Sequence, residues 1–208
     1  KENTDETVAG SGYDLADIFP MMWMETDQYS KLAENYLGDE ELQEELSQYE
    51  HRGASILVGA SIEGFDDGIF DKLTVVEGSL EPLFDQNTHA IAVAVSTDDY
   101  GNIENIDRYP KLGDSLTVSY QIGYDIDSRT GERADQQTTP SEYLEYHEEE
   151  AKEVDYRVCA LVTVPYSISF RYTSLGYSMV LPVERLKENS GTDVIPKFYM
   201  FDTPDSQA

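Results

Sequence analysis

The chain is poor in basic residues, cysteine and long apolar runs, and each shortage removes a class of function. Only 14 Lys and Arg stand against 42 Asp and Glu, a formal net charge of −28. Such a surface repels phosphate backbones and anionic headgroups, which are held by clustered Lys and Arg, so nucleic acid is excluded as a partner. The single cysteine, Cys159, cannot form an intrachain disulfide, and the chain is not a disulfide-stapled scaffold. Cys159 lies in the most apolar strand candidate, where it reads as a small packed hydrophobe. No run reaches the ~18 apolar residues of a membrane helix; the strongest near the start is Ile18 to Met24. No targeting segment is visible. The chain begins at Lys1 and closes in a polar tail, Thr203 to Ala208. It reads as a piece excised from something longer, with any membrane segments outside it.

Motifs that carry chemistry are missing as well. His51, His89 and His147 are scattered and lack the close His or Cys spacing of a zinc site. There is no Gly-rich phosphate loop and no Gly-x-Ser-x-Gly elbow, and Cys159 has no organised base in its local sequence. Asp125 to Gly131 begins like a calcium loop. It then puts Arg129 at a ligand position, Gly131 one place late, and Gln136 where the closing Glu belongs. The pairs Asp66-Asp67 and Asp98-Asp99 read as turn formers. No catalytic, metal or cofactor-binding residue is assigned, and the chain is read as non-enzymatic.

What the chain does contain is enough apolar material for a core. Hydrophobic residues make up 39% of 208 positions, with 15 Tyr and 7 Phe, which argues against disorder and for one domain, residues 1–208. Within it, two lobes suggest themselves, 13–62 with 178–201, and 63–177. The acidic field steers cations, cationic peptides in particular, toward the surface, or simply keeps an exposed domain soluble.

Along the chain, Lys1 to Gly12 is polar and reads as a frayed start, and Tyr13 to Met24 as an extended apolar segment. Two amphipathic helices are expected next, capped by Thr26 and Asp39 and running to Gly38 and Tyr49. Ala54 to Ile62 reads as β-rich and Glu63 to Gly68 as a turn. Leu73 to Val76, His89 to Val95 and Leu116 to Tyr120 read as strands, with a polar loop over Asp98 to Lys111. Asp127 to Glu132 reads as a hairpin tip, and Glu142 to Asp155 is open between helix and strand. Tyr156 to Val164 and Val194 to Phe201 read as strands, with a short helix after Pro182. The fold class is therefore α+β: a mixed sheet, early amphipathic helices packed on it, and a β-rich inserted lobe. The segment from Tyr166 to Tyr177 carries Tyr166, Phe170, Tyr172 and Tyr177. These rings form either a partner-contact surface or a cover over the end of the sheet.

Four segments occur in a fixed order: Phe70 to Gly78, Leu112 to Tyr120, Tyr156 to Val164, and Tyr177 to Leu186. They are a Gly turn after an apolar run, a Gly-Asp turn into an alternating strand, an apolar strand, and a strand stopped by Pro182. The series resembles the extracytoplasmic domain of FtsX-like and MacB-like ABC transporter permeases, the MacB-like periplasmic core domain, over roughly Leu57 to Leu186. The resemblance implies a domain on the extracytoplasmic side of the cell membrane, between transmembrane helices of its own chain. It implies a cytoplasmic ATPase subunit as partner, a homodimer in the full transporter, and no cofactor in this domain. An extracellular substrate or protein is the implied ligand, and export of peptides, antibiotics or lipoproteins, or else regulation of cell-wall hydrolases, the implied process. The net charge of −28 adds a cationic peptide as a candidate ligand. The competing expectation is a free-standing acidic extracellular binding or adhesion module, whose function lies in exposed loops.

Overall fold

The computed structural model describes residues 8–16, 18–25, 51–52, 55–59, 61–106, 109–135, 138–148, 151–165 and 178–201. In chain order the elements are β1 (Val8–Leu15), β2 (Ile18–Glu25), β3 (His51–Arg52), β4 (Ser55–Gly59), β5 (Ser61–Phe65) and helix α1 (Asp67–Phe70). Then come β6 (Thr74–Gly78), α2 (Glu81–Phe84), β7 (Ala90–Ala94), β8 (Ser115–Asp127), β9 (Glu132–Arg133), β10 (Leu144–Glu148) and β11 (Lys152–Thr163). The chain finishes with β12 (Ser178–Pro182), α3 (Val183–Ser190) and β13 (Val194–Phe201). The fold is α+β and mostly sheet, as expected from the sequence in its broad outline. The two early helices expected over Thr26 to Tyr49 lie outside the described residues.

The strands join in the order β13-β1-β5-β12-β7-β11-β8-β2-β4-β3, with β6 on β11 and β9 and β10 on β8. The sheet is mixed, because β5 runs parallel to β12 and β7 parallel to β11 while the other pairs are antiparallel. Both faces of its centre are covered. Strand β7 sends Ile91 and Val93 to one side, where they pack with Val95 just beyond it, Tyr156 and Val158 of β11 and Leu186 of α3. It sends Ala90, Ala92 and Ala94 to the other, with Ile69 and Phe70 of α1 and Leu83 of α2. That two-sided burial is why the strand is apolar without interruption, as a strand covered on both faces must be. Among the described residues, no helix is long and apolar enough to cross a membrane.

Two expectations are corrected. Val8 to Gly12 is not frayed: it belongs to β1 and pairs with β13, Val8 opposite Phe201 and Gly12 opposite Phe198. Its glycines serve close approach. A Cβ on Gly10 would stand 2.8 Å from Ile69 N, and one on Gly12 would collide with the Phe198 ring. Likewise Glu63, Gly64 and Phe65 are strand and not turn. Glu63 is only 2% exposed and accepts a 2.6 Å hydrogen bond from Lys197 Nζ on β13. Gly64 lets α3 approach, since a Cβ there would stand 2.9 Å from Val183 Cα. Only then does Asp66 turn the chain, its carboxylate accepting from Ile69 N at 3.2 Å as the α1 cap. Glu142 to Asp155 resolves into β10 and the start of β11, both pairing with β8. α3 begins after Pro182 and ends at Gly191, whose φ of 77° allows its N–H to close on Lys187.

Candidate binding cleft

Strand β11 is where the sheet changes partners. One edge runs parallel to β7, from Arg157 opposite Ala90 to Val162 opposite Ala94. The other is divided: Lys152 to Arg157 pair with Tyr120 to Ser115 of β8, and Ala160 to Thr163 with Gly78 to Thr74 of β6. At the join the register against β7 slips between Val158 and Ala160, leaving Cys159 in a bulge. Three backbone bonds stitch it: Gly113 N–H to Val158 O at 2.8 Å, Val158 N–H to Asp114 O at 2.9 Å, and Ser79 N–H to Cys159 O at 3.0 Å. Both flanking chains turn through glycine with positive φ, Gly78 at 82° and Gly113 at 88°.

Beside this join lies an open cleft of about 630 Å³, a volume usual for small-molecule sites. Its walls are largely apolar, with Ala90, Val158, Pro82 and Leu112. Leu112 is 46% exposed although aliphatic. Polar chemistry comes from His89 and Arg157. Thr88 also faces the cleft, but its hydroxyl donates to Pro82 O at 2.8 Å. Among the described residues Arg157 has no ion-pair partner. The Cys159 thiol also lines the cleft, and burial pushes it up to about 11. It therefore stays protonated at neutral pH and is a poor nucleophile. The arrangement is suited to holding a ligand, being an open and largely apolar cleft with His89 and Arg157 among its walls. Among the described residues no three His, Cys, Asp or Glu side chains gather as a metal would require.

The polar side of the cleft rests on a buried network. The His89 ring is tilted against Tyr156 with centroids 6.1 Å apart. The Tyr156 hydroxyl accepts from Asn189 Nδ2 of α3 at 2.9 Å and meets the Tyr120 hydroxyl at 2.6 Å. Burial holds both tyrosines well above the usual phenol range, Tyr156 at about 12. Both are neutral hydrogen-bonding groups at physiological pH.

Away from the cleft, the far half of β8 forms an arm with β9 and β10. Asp127, the central carboxylate of the calcium-like stretch, accepts from Arg129 N and Nε, both at 2.9 Å. Those bonds hold it down to about 2, and the Arg129 guanidinium lies 4.3 Å from the Tyr143 ring centre. The tip is an Arg-latched hairpin. Arg133, Tyr124 and His147 stack across the arm, at 5.3 Å and 5.2 Å.

The residues singled out as a partner-contact surface, Tyr166, Phe170, Tyr172 and Tyr177, lie outside the described residues. The cleft itself escaped the sequence reading. His89 appeared only as an isolated histidine, and Arg157 lay unremarked within a segment read as an apolar strand. The available signal was the pair of glycine turns at Gly78 and Gly113, which point at the same strand. No family model matches the chain, and no curated protein matches it either.

Proposed function

We propose that the chain is the non-catalytic extracytoplasmic domain of an FtsX-like or MacB-like ABC transporter permease. It binds or senses a partner outside the membrane and couples that event to the membrane part, in export of peptides, antibiotics or lipoproteins. The observation that carries the reading is where the four resembling segments fall. Phe70 to Gly78 supplies β6, Leu112 to Tyr120 the start of β8, Tyr156 to Val164 most of β11, and Tyr177 to Leu186 β12 and the first turn of α3. They lie on neighbouring strands, with β6 and β8 on β11, and β12 joined to it through β7. Val8 and Phe201 are direct partners at the sheet edge, so the chain arrives and leaves at one corner. That arrangement suits a domain carried between two spans of a longer polypeptide.

In this reading residues 1–208 form one domain, the early amphipathic helices pack on the sheet, and the segment 63–177 contributes a β-rich lobe. The domain faces outward from the cell membrane, works as a pair in the full transporter, and relies on a cytoplasmic ATPase for energy. The test is the hydropathy of the encoding reading frame on either side of the 208 residues, together with purification from native membranes. An apolar span of ~20 residues before the domain, several after it, and a co-purifying ATPase are expected. A signal peptide with one anchor and no ATPase would replace the reading with a free-standing extracellular binding or adhesion module.

A further inference from the structure

We infer that the cleft beside Cys159 binds a carboxylate carried on an apolar body, with Arg157 taking the carboxylate and Leu112 and Pro82, over Ala90, the apolar part. The inference stands on the cleft and does not need the permease reading.

The charge balance makes Arg157 informative. With 42 acidic residues against 14 basic ones, a guanidinium at the surface is surrounded by potential partners, yet none of the described carboxylates takes this one. Asp114, whose backbone carbonyl accepts from Val158 N–H next to Arg157, has a carboxylate that accepts from Lys111 N at 2.8 Å. Arg157 instead stands at the rim of apolar walls, with His89 as a second polar group on the same cleft. A planar fork beside apolar surface matches a carboxylate on a hydrophobic group, because the guanidinium can donate two parallel bonds to it.

Charge number selects among anions. Bringing a dianion such as a phosphate monoester toward a chain of net charge −28 costs more than bringing a monoanion, and one guanidinium neutralises only one charge. The apolar walls exclude a small hydrophilic acid as the preferred ligand, since it would leave the exposed Leu112 and the half-buried Pro82 uncovered. Two sources supply the same chemistry: a free acyl-chain carboxylate, or the C-terminus of a peptide ending in apolar residues.

Cys159 is the only thiol in the chain and lines the cleft, so it reports occupancy. The experiment measures alkylation of Cys159 in the whole chain with decanoate, decanol, N-acetyl-Leu-Leu acid and N-acetyl-Leu-Leu amide. An acid slows the reaction at millimolar concentration, and its uncharged counterpart does not. Protection by decanoate points to an acyl chain, and protection by the dipeptide acid to a peptide C-terminus; either supports the inference. Arg157→Gln weakens the protecting acid by ~10- to 100-fold, and Arg157→Lys by less. Leu112→Glu, at an exposed wall position, is a second variant that weakens the acid without removing the arginine. Three results overturn the inference: equal protection by decanol or the amide, protection unchanged in both Arg157→Gln and Leu112→Glu, or no protection by either acid. None of them bears on the permease reading, which is decided on the reading frame.

Discussion

Replacing Tyr156 by Phe tests whether the buried hydroxyl network is a hub or two independent bonds. Tyr156 and Tyr120 are each 1% exposed and Asn189 is 8% exposed, so water does not readily replace a lost partner. In Tyr156→Phe, Asn189 Nδ2 loses its 2.9 Å acceptor and the Tyr120 hydroxyl its 2.6 Å partner. Each buried polar group left without a partner costs about 1–3 kcal/mol, so with two orphaned the variant loses about 2–6 kcal/mol. In Tyr120→Phe the Tyr156 hydroxyl keeps the Asn189 bond, and the loss is about 1 kcal/mol. The double variant removes both ends of the 2.6 Å bond and orphans only Asn189, so it costs less than the sum of the two single changes. Urea unfolding measures all three, and an unchanged m-value certifies that stability alone has moved. A Tyr120→Phe loss equal to or larger than that of Tyr156→Phe would refute the hub, as would strict additivity in the double variant.

Gly78→Ala and Gly101→Ala separate conformation from collision. Both residues have positive φ, 82° and 83°, but a Cβ on Gly78 meets the Cys159 carbonyl oxygen while one on Gly101 meets nothing within 4 Å. Thermal unfolding should show about 1 kcal/mol lost at Gly101, the left-handed backbone cost alone, and about 3 kcal/mol or more at Gly78; equal losses would contradict the join described at β11. Alkylation of Cys159 should accelerate roughly tenfold per pH unit from neutrality until it levels near the thiol's value of about 11. A plateau near pH 8.5, the ordinary thiol range, would mean that the side chain is not buried in the cleft wall. At the hairpin tip, the Arg129 hydrogen bonds hold Asp127 at about 2, below the ~3.9 of an unfolded chain. The latch therefore contributes fully above the unfolded value and is lost as pH falls through the folded one. The Arg129 Nε–H resonance should be constant down to about pH 4 and shift between there and about pH 2, and a shift centred at pH 4 or above would argue against the latch.

Local chemistry made some elements legible and distance hid others. His89 to Val95 showed as a strand covered on both faces because no polar residue interrupts its apolar run. Asp127 to Glu132 showed as a hairpin tip because its turn residues act within six positions of one another. Glu63 and Gly64 misled: an acid beside a glycine reads as a turn. Here the acid is buried by a lysine 134 positions away, and the glycine is demanded by a helix that packs on it. Gly10 and Gly12 misled in the same way, since their small size serves Ile69 and the Phe198 ring, neither of which is near them in the chain. Glu142 to Asp155 stayed ambiguous because its alternation is weak, and only pairing with β8 decides it.

The cleft was illegible for a deeper reason, which also explains why it exists. It is assembled from Pro82, Thr88 to Ala90 and Leu112 to Gly113 around Arg157 to Cys159 of β11, stretches far apart in the chain. That strand, β11, runs parallel to β7 while its opposite edge passes from β8 to β6. Two chains arriving on one edge cannot both continue its ladder without a gap between them. The register slip at Cys159 and the turns at Gly78 and Gly113 accommodate that gap. A bulge re-aims the side chains beside it, and here those side chains are Arg157 and the thiol. The same strand inserts Tyr156 into the core directly before Arg157, where its hydroxyl joins β8 to α3. The cationic rim of the cleft is therefore carried on a strand paired along both edges and tied by the Tyr156 hydroxyl to β8 and α3.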